Sequence, residues 1–409
     1  DRSREKLILK EFSDLLTRAD HKRRMDMLLY RDRITQAARM QDLANAHSLY
    51  QARSAVIRKS PHAAKMIKAV HPTWHDDPSY LFARIAYHRK RDEDKKAAEL
   101  LLKAPRNANA LVNTKEWWVE GRIVSRGLAD KGDFSTAYKV ASNHLATRPV
   151  DIIEAEWHAG WFALRGFNDG KTAHIHFDRV LKQATRPLSQ SRAYYWLGRA
   201  AEAGGPGSAT GYFEQAARYN ATYYGQLAAA RLGQRSLDVR YPSPSATERS
   251  HFAAREPVRA IQRLTSTGHA HRAKALYVAL ARQLTSPGEL AILAAMAEKQ
   301  GDHRLSLQVG KIAYHRGLNV AALAFPTGVI PSNANISGSG KALAYAIARQ
   351  ESAFQKDARS HANALGLLQL QVVPIRAQAD DGLILAHPLA FSSLDRDDQT
   401  GDLAGHHAG

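Results

Sequence analysis

Apolar positions recur along most of the chain at intervals of three and four, the period of a helix that buries one face. Ala, Leu and Arg, all good helix formers, fill these runs, and β-branched clusters between turn signals are few. The pattern predicts a nearly all-α protein with no strand. In the middle of the chain the pattern itself repeats. Ala137, Ala173 and Ala209 stand 36 residues apart, as do Asp133, Asp169 and Gly205 in the turns before them. Phe177 and Phe213 follow one helical turn after the second and third Ala, and Trp161 and Leu197 mark the preceding helices at the same interval. Small residues where helices cross, aromatics one turn on and turn residues between describe helix-turn-helix repeats similar to tetratricopeptide units. No such pair buries its apolar face alone, so the repeats are expected to stack into an α-solenoid.

Turn-rich breaks interrupt this pattern at Val239-Arg240-Tyr241-Pro242-Ser243-Pro244-Ser245 and at Phe325-Pro326-Thr327-Gly328-Val329-Ile330-Pro331-Ser332-Asn333-Ala334-Asn335. Beyond the second break a helix is expected to begin near Gly340. Along it Leu343, Ile347, Glu351 and Phe354 recur at spacings of four, four and three, which puts one carboxylate in an apolar stripe. A carboxylate drawn out of water is harder to ionise, and a Glu becomes a proton donor near neutral pH in this way. From the stripe alone, a Glu at the edge of a packed face with its head in solvent is the more frequent arrangement.

The residues that follow weigh on the choice. Ala348-Arg349-Gln350-Glu351-Ser352-Ala353-Phe354 leads through Ser360 into Ala364-Leu365-Gly366-Leu367-Leu368-Gln369-Leu370. This ordered run resembles the lysozyme-like, goose-type-like domain of the soluble lytic murein transglycosylases. In that family a Glu-Ser pair ends a helix, an Ala-x-Ser follows, and a Gly-Leu-Met-Gln-Leu segment closes the near wall of a glycan cleft. The resemblance implies that Glu351 is the general acid and base and that Ser352, Ser360 and Gln369 bind substrate. Departures are Lys356 for a usual Pro, Asn363 for a Gly, Leu368 for a Met and Gln371 for a Met. A single carboxylate suits the implied chemistry, whereas ordinary glycoside hydrolases use a pair. Glu351 would protonate the β-1,4 bond between N-acetylmuramic acid and N-acetylglucosamine, then take the proton of the muramoyl C6 hydroxyl. The product would be a 1,6-anhydro sugar, formed without an activated water. Asp357, the next acid downstream, reads as a solvated loop residue.

Upstream, Glu154-Ala155-Glu156-Trp157-His158-Ala159-Gly160-Trp161-Phe162-Ala163-Leu164-Arg165, Arg192-Ala193-Tyr194-Tyr195-Trp196-Leu197-Gly198-Arg199-Ala200 and Tyr223-Tyr224-Gly225-Gln226-Leu227-Ala228 resemble the superhelical part of the same family. The resemblance spans most of residues 10 to 370 and implies a curved scaffold that seats the enzyme domain. Trp157, Trp161, Tyr195 and Trp196, at helical spacing, are expected in the core rather than on sugar. The implied organisation is a scaffold over 1–325, with repeats clearest at 115–232, a linker over 326–339, a partial lysozyme-like domain over 340–371 and a tail over 372–409. After Leu370 the chain stops following the family. An Asn-bearing helix start before a Tyr-Leu and a Tyr-Asn-Ala-Gly segment, which would build the far wall, are absent; Tyr219-Asn220-Ala221 lies far upstream and ends in Thr222. The expectation is an incomplete or altered domain with weak or absent turnover. Asp395, Asp397, Asp398, Asp402, His406 and His407 in the tail have no metal-ligand spacing, and the tail is expected to be disordered.

Charge and compartment refine the picture. The chain of 409 residues carries 58 Lys and Arg against 39 Asp and Glu, a formal +19, so its surface attracts polyanions. The basic residues are spread without a block and no nucleic-acid motif of known spacing occurs, yet charge alone does not choose among polyanions; it is the resemblance that implies peptidoglycan glycan strands, with cell-wall proteins as candidate partners and nucleic acid disfavoured. Absence of cysteine excludes disulfides, thiolate catalysis and Cys-based zinc sites. No metal or cofactor is expected. No apolar run is long enough to span a membrane. The chain opens on Asp1 within a helical pattern, as after loss or omission of a leader, and the resemblance implies the periplasm. Gly166-Phe167-Asn168-Asp169-Gly170-Lys171-Thr172 imitates a phosphate-binding loop, but its glycines are too close together, and a turn between repeat helices explains it. His174 and His176 are expected to be ordinary helix residues without a carboxylate at ligand spacing. The alternative function is a non-catalytic α-solenoid binding cell-wall glycan, a partner protein or another polyanion; an RNA-binding helical repeat ranks below it.

Overall fold

A computed structural model describes residues 2–234, 239–331, 333, 334 and 340–370. The chain is 67% helical, and among the described residues the only β pairing is in isolated bridges of Leu365 with Arg359 and Leu370. The expected tail over 372–409, with its Asp and His residues, and the substitution Gln371 lie outside the described residues. The chain divides into two compact units, Asp1–Ser236 and Leu237–Gly409, with the boundary just ahead of the turn-rich Val239–Ser245 segment.

In the first unit the helices Thr114–Asp130, Phe134–Ser142, Pro149–Phe167, Gly170–Gln183, Pro187–Glu202 and Ala209–Ala217 each pack on the next. The repeated turn residues start them. Asp133 accepts from the Thr136 N–H at 3.0 Å and Asp169 from the Thr172 N–H at 2.9 Å. In the third repeat Ser208, beyond Gly205, accepts from the Gly211 N–H at 3.2 Å. These oxygens satisfy N–H groups that a first helical turn leaves open. The phosphate-loop look-alike is thus a turn: Asn168 ends one helix at φ +51 and Asp169 caps the next.

Glycine, more than the repeated alanine, sets the closest helix contacts. Phe177 is fully buried against Gly160, where a Cβ would stand 2.7 Å from the ring. Phe213 repeats this on Gly198, where a Cβ would stand 2.5 Å away. Ala137 and Ala173 are fully buried, while Ala209, at the first position of its helix, is only half-buried. Trp157 and Tyr195 are buried and Trp161 and Trp196 pack partly buried against the same core. Trp157 meets Trp196 edge-on at 5.9 Å, as core aromatics do.

One expectation for this unit fails. His176 has a carboxylate partner, because Glu156 on the preceding helix reaches its Nδ1 at 2.5 Å. His144 Nε2 and Arg179 Nη1 also approach Glu156, each at 3.3 Å, and the Tyr138 hydroxyl meets His176 Nε2 at 3.1 Å. Burial pushes the Glu156 carboxyl up, but hydrogen bonds from His144 and His176 and the charges of His176 and Arg179 hold it down at about 2. The pair is 20 residues apart in sequence, beyond any spacing rule within one helix. His174 packs at a tilt on Tyr212.

The second unit opens with Ser245, which caps the Ala246–Ala254 helix in a reciprocal box with Glu248. Arg255 grips the buried Glu289 carboxylate through two bonds of 3.0 Å. Tyr277, Leu290, Leu293 and Val309 centre its core. A smaller cluster of Leu307, Ala348 and Phe354 joins the His303–His315 helix to the segment that carries Glu351.

Candidate active site

A helix runs over Lys341–Glu351 from Gly340, as the sequence predicts, and ends on the Glu-Ser pair with Ser352 at its C-cap. Its two long faces meet different surroundings. Ala344 and Ala348 are buried, and from the same side Tyr345 and Arg349 reach out to neighbouring segments. The Tyr345 hydroxyl accepts from the Gly328 N–H at 2.7 Å and the Ile330 N–H at 3.2 Å. Arg349 Nε donates to the Ala324 carbonyl at 2.8 Å, and its guanidinium lies 4.3 Å over the Phe325 ring.

The opposite face is open. Leu343 is 51% exposed, Ile347 36% exposed, and Glu351 beside them is exposed. The Glu351 carboxylate makes no hydrogen bond or ion pair among the described residues. The apolar stripe is therefore real in register but solvent-facing, and it lacks its fourth member. Phe354 leaves the helical path because Ala353 and Phe354 take positive φ, +51 and +63, and its ring turns into the core at 1% exposure. Left-handed backbone at a non-glycine residue costs about 1–2 kcal/mol. Burial of the Phe354 ring on Leu307 and Ala348, with the Phe354 N–H on the Ala348 carbonyl at 3.2 Å, offsets that cost.

The remaining predicted site residues sit in the tight loop that follows. Ser352 is buried and its hydroxyl contacts the Ala348 and Leu367 carbonyls at 3.1 and 2.8 Å, so it ties the helix end to the 364–370 turn and faces inward. Ser360 Oγ accepts from the Ala362 and Ala364 N–H groups at 3.2 and 3.0 Å. Gln369 Nε2 donates to the Ala358 and Gly366 carbonyls at 3.0 and 2.9 Å, from a backbone at φ +48. Gly366, at φ +71, supplies the turn between them, and its N–H reaches the Ala358 carbonyl at 2.9 Å. The loop thus joins Ser352, Ser360 and Gln369 in one hydrogen-bonded unit, while Glu351 stands outside it. Among the described residues the Ser360 hydroxyl proton and the Gln369 Oε1 acceptor have no partner. Asp357 is exposed. Sequence reasoning missed Tyr345 and Arg349. Their signal was present, since Tyr345, Arg349 and Ser352 recur at four and three on the face away from Leu343 and Ile347.

Among the described residues no group of three or more His, Cys, Asp or Glu side chains is placed to hold a metal ion. No described helix is long and apolar enough to cross a membrane.

Residues 329–381 match the family model of the transglycosylase SLT domain. The match opens ahead of the Glu351 helix and continues past Leu370, where the quoted motif departs from its pattern. Among solved structures the chain is similar to the lytic transglycosylase Slt of Pseudomonas aeruginosa, in an inactive Glu-to-Gln mutant form, at 19% identity and a TM-score of 0.61. That similarity covers 89% of this chain and 58% of the Pseudomonas chain, so this chain spans little more than half of that protein's length. The 70 kDa soluble lytic transglycosylase of Escherichia coli is 16% identical, with a TM-score of 0.31 over 87% of this chain and 69% of that one. No curated protein sequence matches the chain. The fold is the all-α fold of the Pseudomonas structure.

Proposed function

We infer that this chain, a member of the soluble lytic transglycosylase family through its SLT domain, cleaves the β-1,4 bond between N-acetylmuramic acid and N-acetylglucosamine in peptidoglycan, with Glu351 as acid and then base. The observation that carries the reading is the placement of Glu351. It is the last residue of its helix, exposed and unpaired among the described residues, while Ser352 next to it and Gln369 in the loop that follows are tied to backbone. A protonated Glu351 gives its proton to the glycosidic oxygen as the bond to muramoyl C1 breaks. The carboxylate then takes the C6 hydroxyl proton as that oxygen bonds to C1, closing the 1,6-anhydro ring and regenerating the acid. The Ser360 hydroxyl proton and Gln369 Oε1 are assigned to sugar hydroxyls and amides, and Ser352 is assigned to holding the loop.

Leu343 and Ile347 offer an apolar bed beside Glu351. Desolvation of the carboxylate then comes from the bound glycan, and turnover is expected to be weak because the free face is open to water. The helices up to residue 325 are read as a tetratricopeptide-like scaffold, 326–339 as the linker and 340–371 as the lysozyme-like part. The location is the periplasm, with glycan strands as substrate and wall proteins as candidate partners; no cofactor is invoked. The test is digestion of purified peptidoglycan by this chain and by Glu351→Gln, with soluble products identified by mass spectrometry. Anhydro-muropeptides from the parent and none from the variant are expected. Equal products would overturn Glu351 as the acid, and none from either with glycan binding kept would overturn the reading in favour of a binding solenoid.

A further inference from the structure

We propose that Arg349 is a positioning residue for Glu351, clamping the last helical turn onto the Ala324–Phe325 segment so that the carboxylate projects outward; this rests on the transglycosylase reading above. Two residues along a helix differ by about 200° in direction. Whatever pulls position 349 inward therefore sets position 351 outward. Arg349 supplies that pull through a 2.8 Å bond to the Ala324 carbonyl and a guanidinium 4.3 Å above Phe325. Among the described residues no carboxylate pairs with Arg349. Its charge is met by the carbonyl at the end of the Ala321–Ala324 helix and by the ring face, with Tyr314 set edge-on against Phe325 at 5.7 Å.

The clamp depends on guanidinium shape. Its edge donates to Ala324 while its plane covers the ring, and a lysine offers the donor and the charge but no plane. The other ties near Glu351 hold different atoms: Tyr345 lies one turn earlier, and Ser352 fixes the loop behind the carboxylate. Arg349 is thus the polar tie from the helix's last turn to a segment outside the motif. Its sequence position, two before the proposed acid, follows from this division of faces.

The test compares the parent chain with Arg349→Met and Arg349→Lys. Met keeps an unbranched stem on Phe325 and removes donor, charge and plane. Steady-state kinetics on soluble uncrosslinked glycan strands are run beside amide hydrogen exchange of residues 348–354. For Arg349→Met the expected result is kcat lower by about tenfold to a hundredfold, the range of a small misplacement of a reacting group. KM should stay within about twofold, because ground-state binding is not removed. Exchange of the 348–354 amides should quicken while exchange elsewhere is unchanged, and Lys should recover part of both losses. Parent-like kcat and exchange in Arg349→Met would overturn the clamp. So would lost activity with unchanged exchange, or a raised KM at constant kcat, since either makes Arg349 a substrate contact. If the parent itself releases no anhydro product, the transglycosylase reading falls, and the exchange comparison alone then decides whether the clamp exists.

Discussion

Replacing Phe354 by Ala should melt the Glu351 segment without unfolding the rest of the chain. Phe354 is 1% exposed, and with Leu307 and Ala348 it forms the whole buried centre of the cluster that fastens this segment to the His303–His315 helix. Removing a fully buried Phe side chain costs about 3–5 kcal/mol. At 1.4 kcal/mol per tenfold, protection of the 344–370 amides should fall by roughly a hundredfold to several thousandfold. Helices whose core centres on Tyr277, Leu290 and Leu293 share no member of that buried trio and should keep their protection. Backbone strain adds a sign test. Phe354 sits at φ +63, where Ala gains nothing and Gly is at ease, so Phe354→Gly should be more protected than Phe354→Ala by about 1 kcal/mol. In an ordinary helical position the order is the reverse. Hydrogen exchange by mass spectrometry reads both quantities. Parent-like protection in Phe354→Ala, or greater protection in Ala than in Gly, would refute the packing and strain assigned to this residue.

Other outcomes follow from the first unit and from the site. Gly198→Ala places a Cβ 2.5 Å from the Phe213 ring and should destabilise by about 1–3 kcal/mol in urea unfolding, outweighing the gain of about 1 kcal/mol in helix propensity; Phe213→Leu should relieve most of it. Glu156 is held at about 2, below its unfolded range near 4.3. Its stabilising contribution should therefore be full above about pH 4.5 and lost as pH falls toward 2, and Glu156→Gln should flatten that part of the stability profile. His158 is buried among Trp118, Trp157 and Phe162, and burial pushes its imidazole down to about 4. Stability should fall as pH drops from about 6.5 to 4, with His158→Phe removing the slope in denaturant titrations across that range. Glu351→Gln, at an exposed position, should alter unfolding free energy by less than about 0.5 kcal/mol, so that any lost activity reports chemistry and not folding.

The sequence by itself determined the helices, their starts and the run of the motif. Asp133 and Asp169 could be read as turn residues because a cap acts on an N–H three residues away, and the span from Gly340 to Ser352 could be read because a helical face repeats every three or four residues. Such signals are local. Only the tertiary structure decided which face of the Glu351 helix is covered. The stripe of Leu343, Ile347 and Glu351 was legible, yet it faces solvent, because Ala348 and Arg349 on the other side carry the contacts to Leu307, Ala324 and Phe325. Phe354 left the stripe because two left-handed residues turned its ring into the core, a choice stabilised by burial and invisible to propensity. His176 found Glu156, and Ser352 found the Leu367 carbonyl, across separations set by how helices cross and loops close. Periodicity states which residues share a face, and packing free energy between elements decides what that face meets.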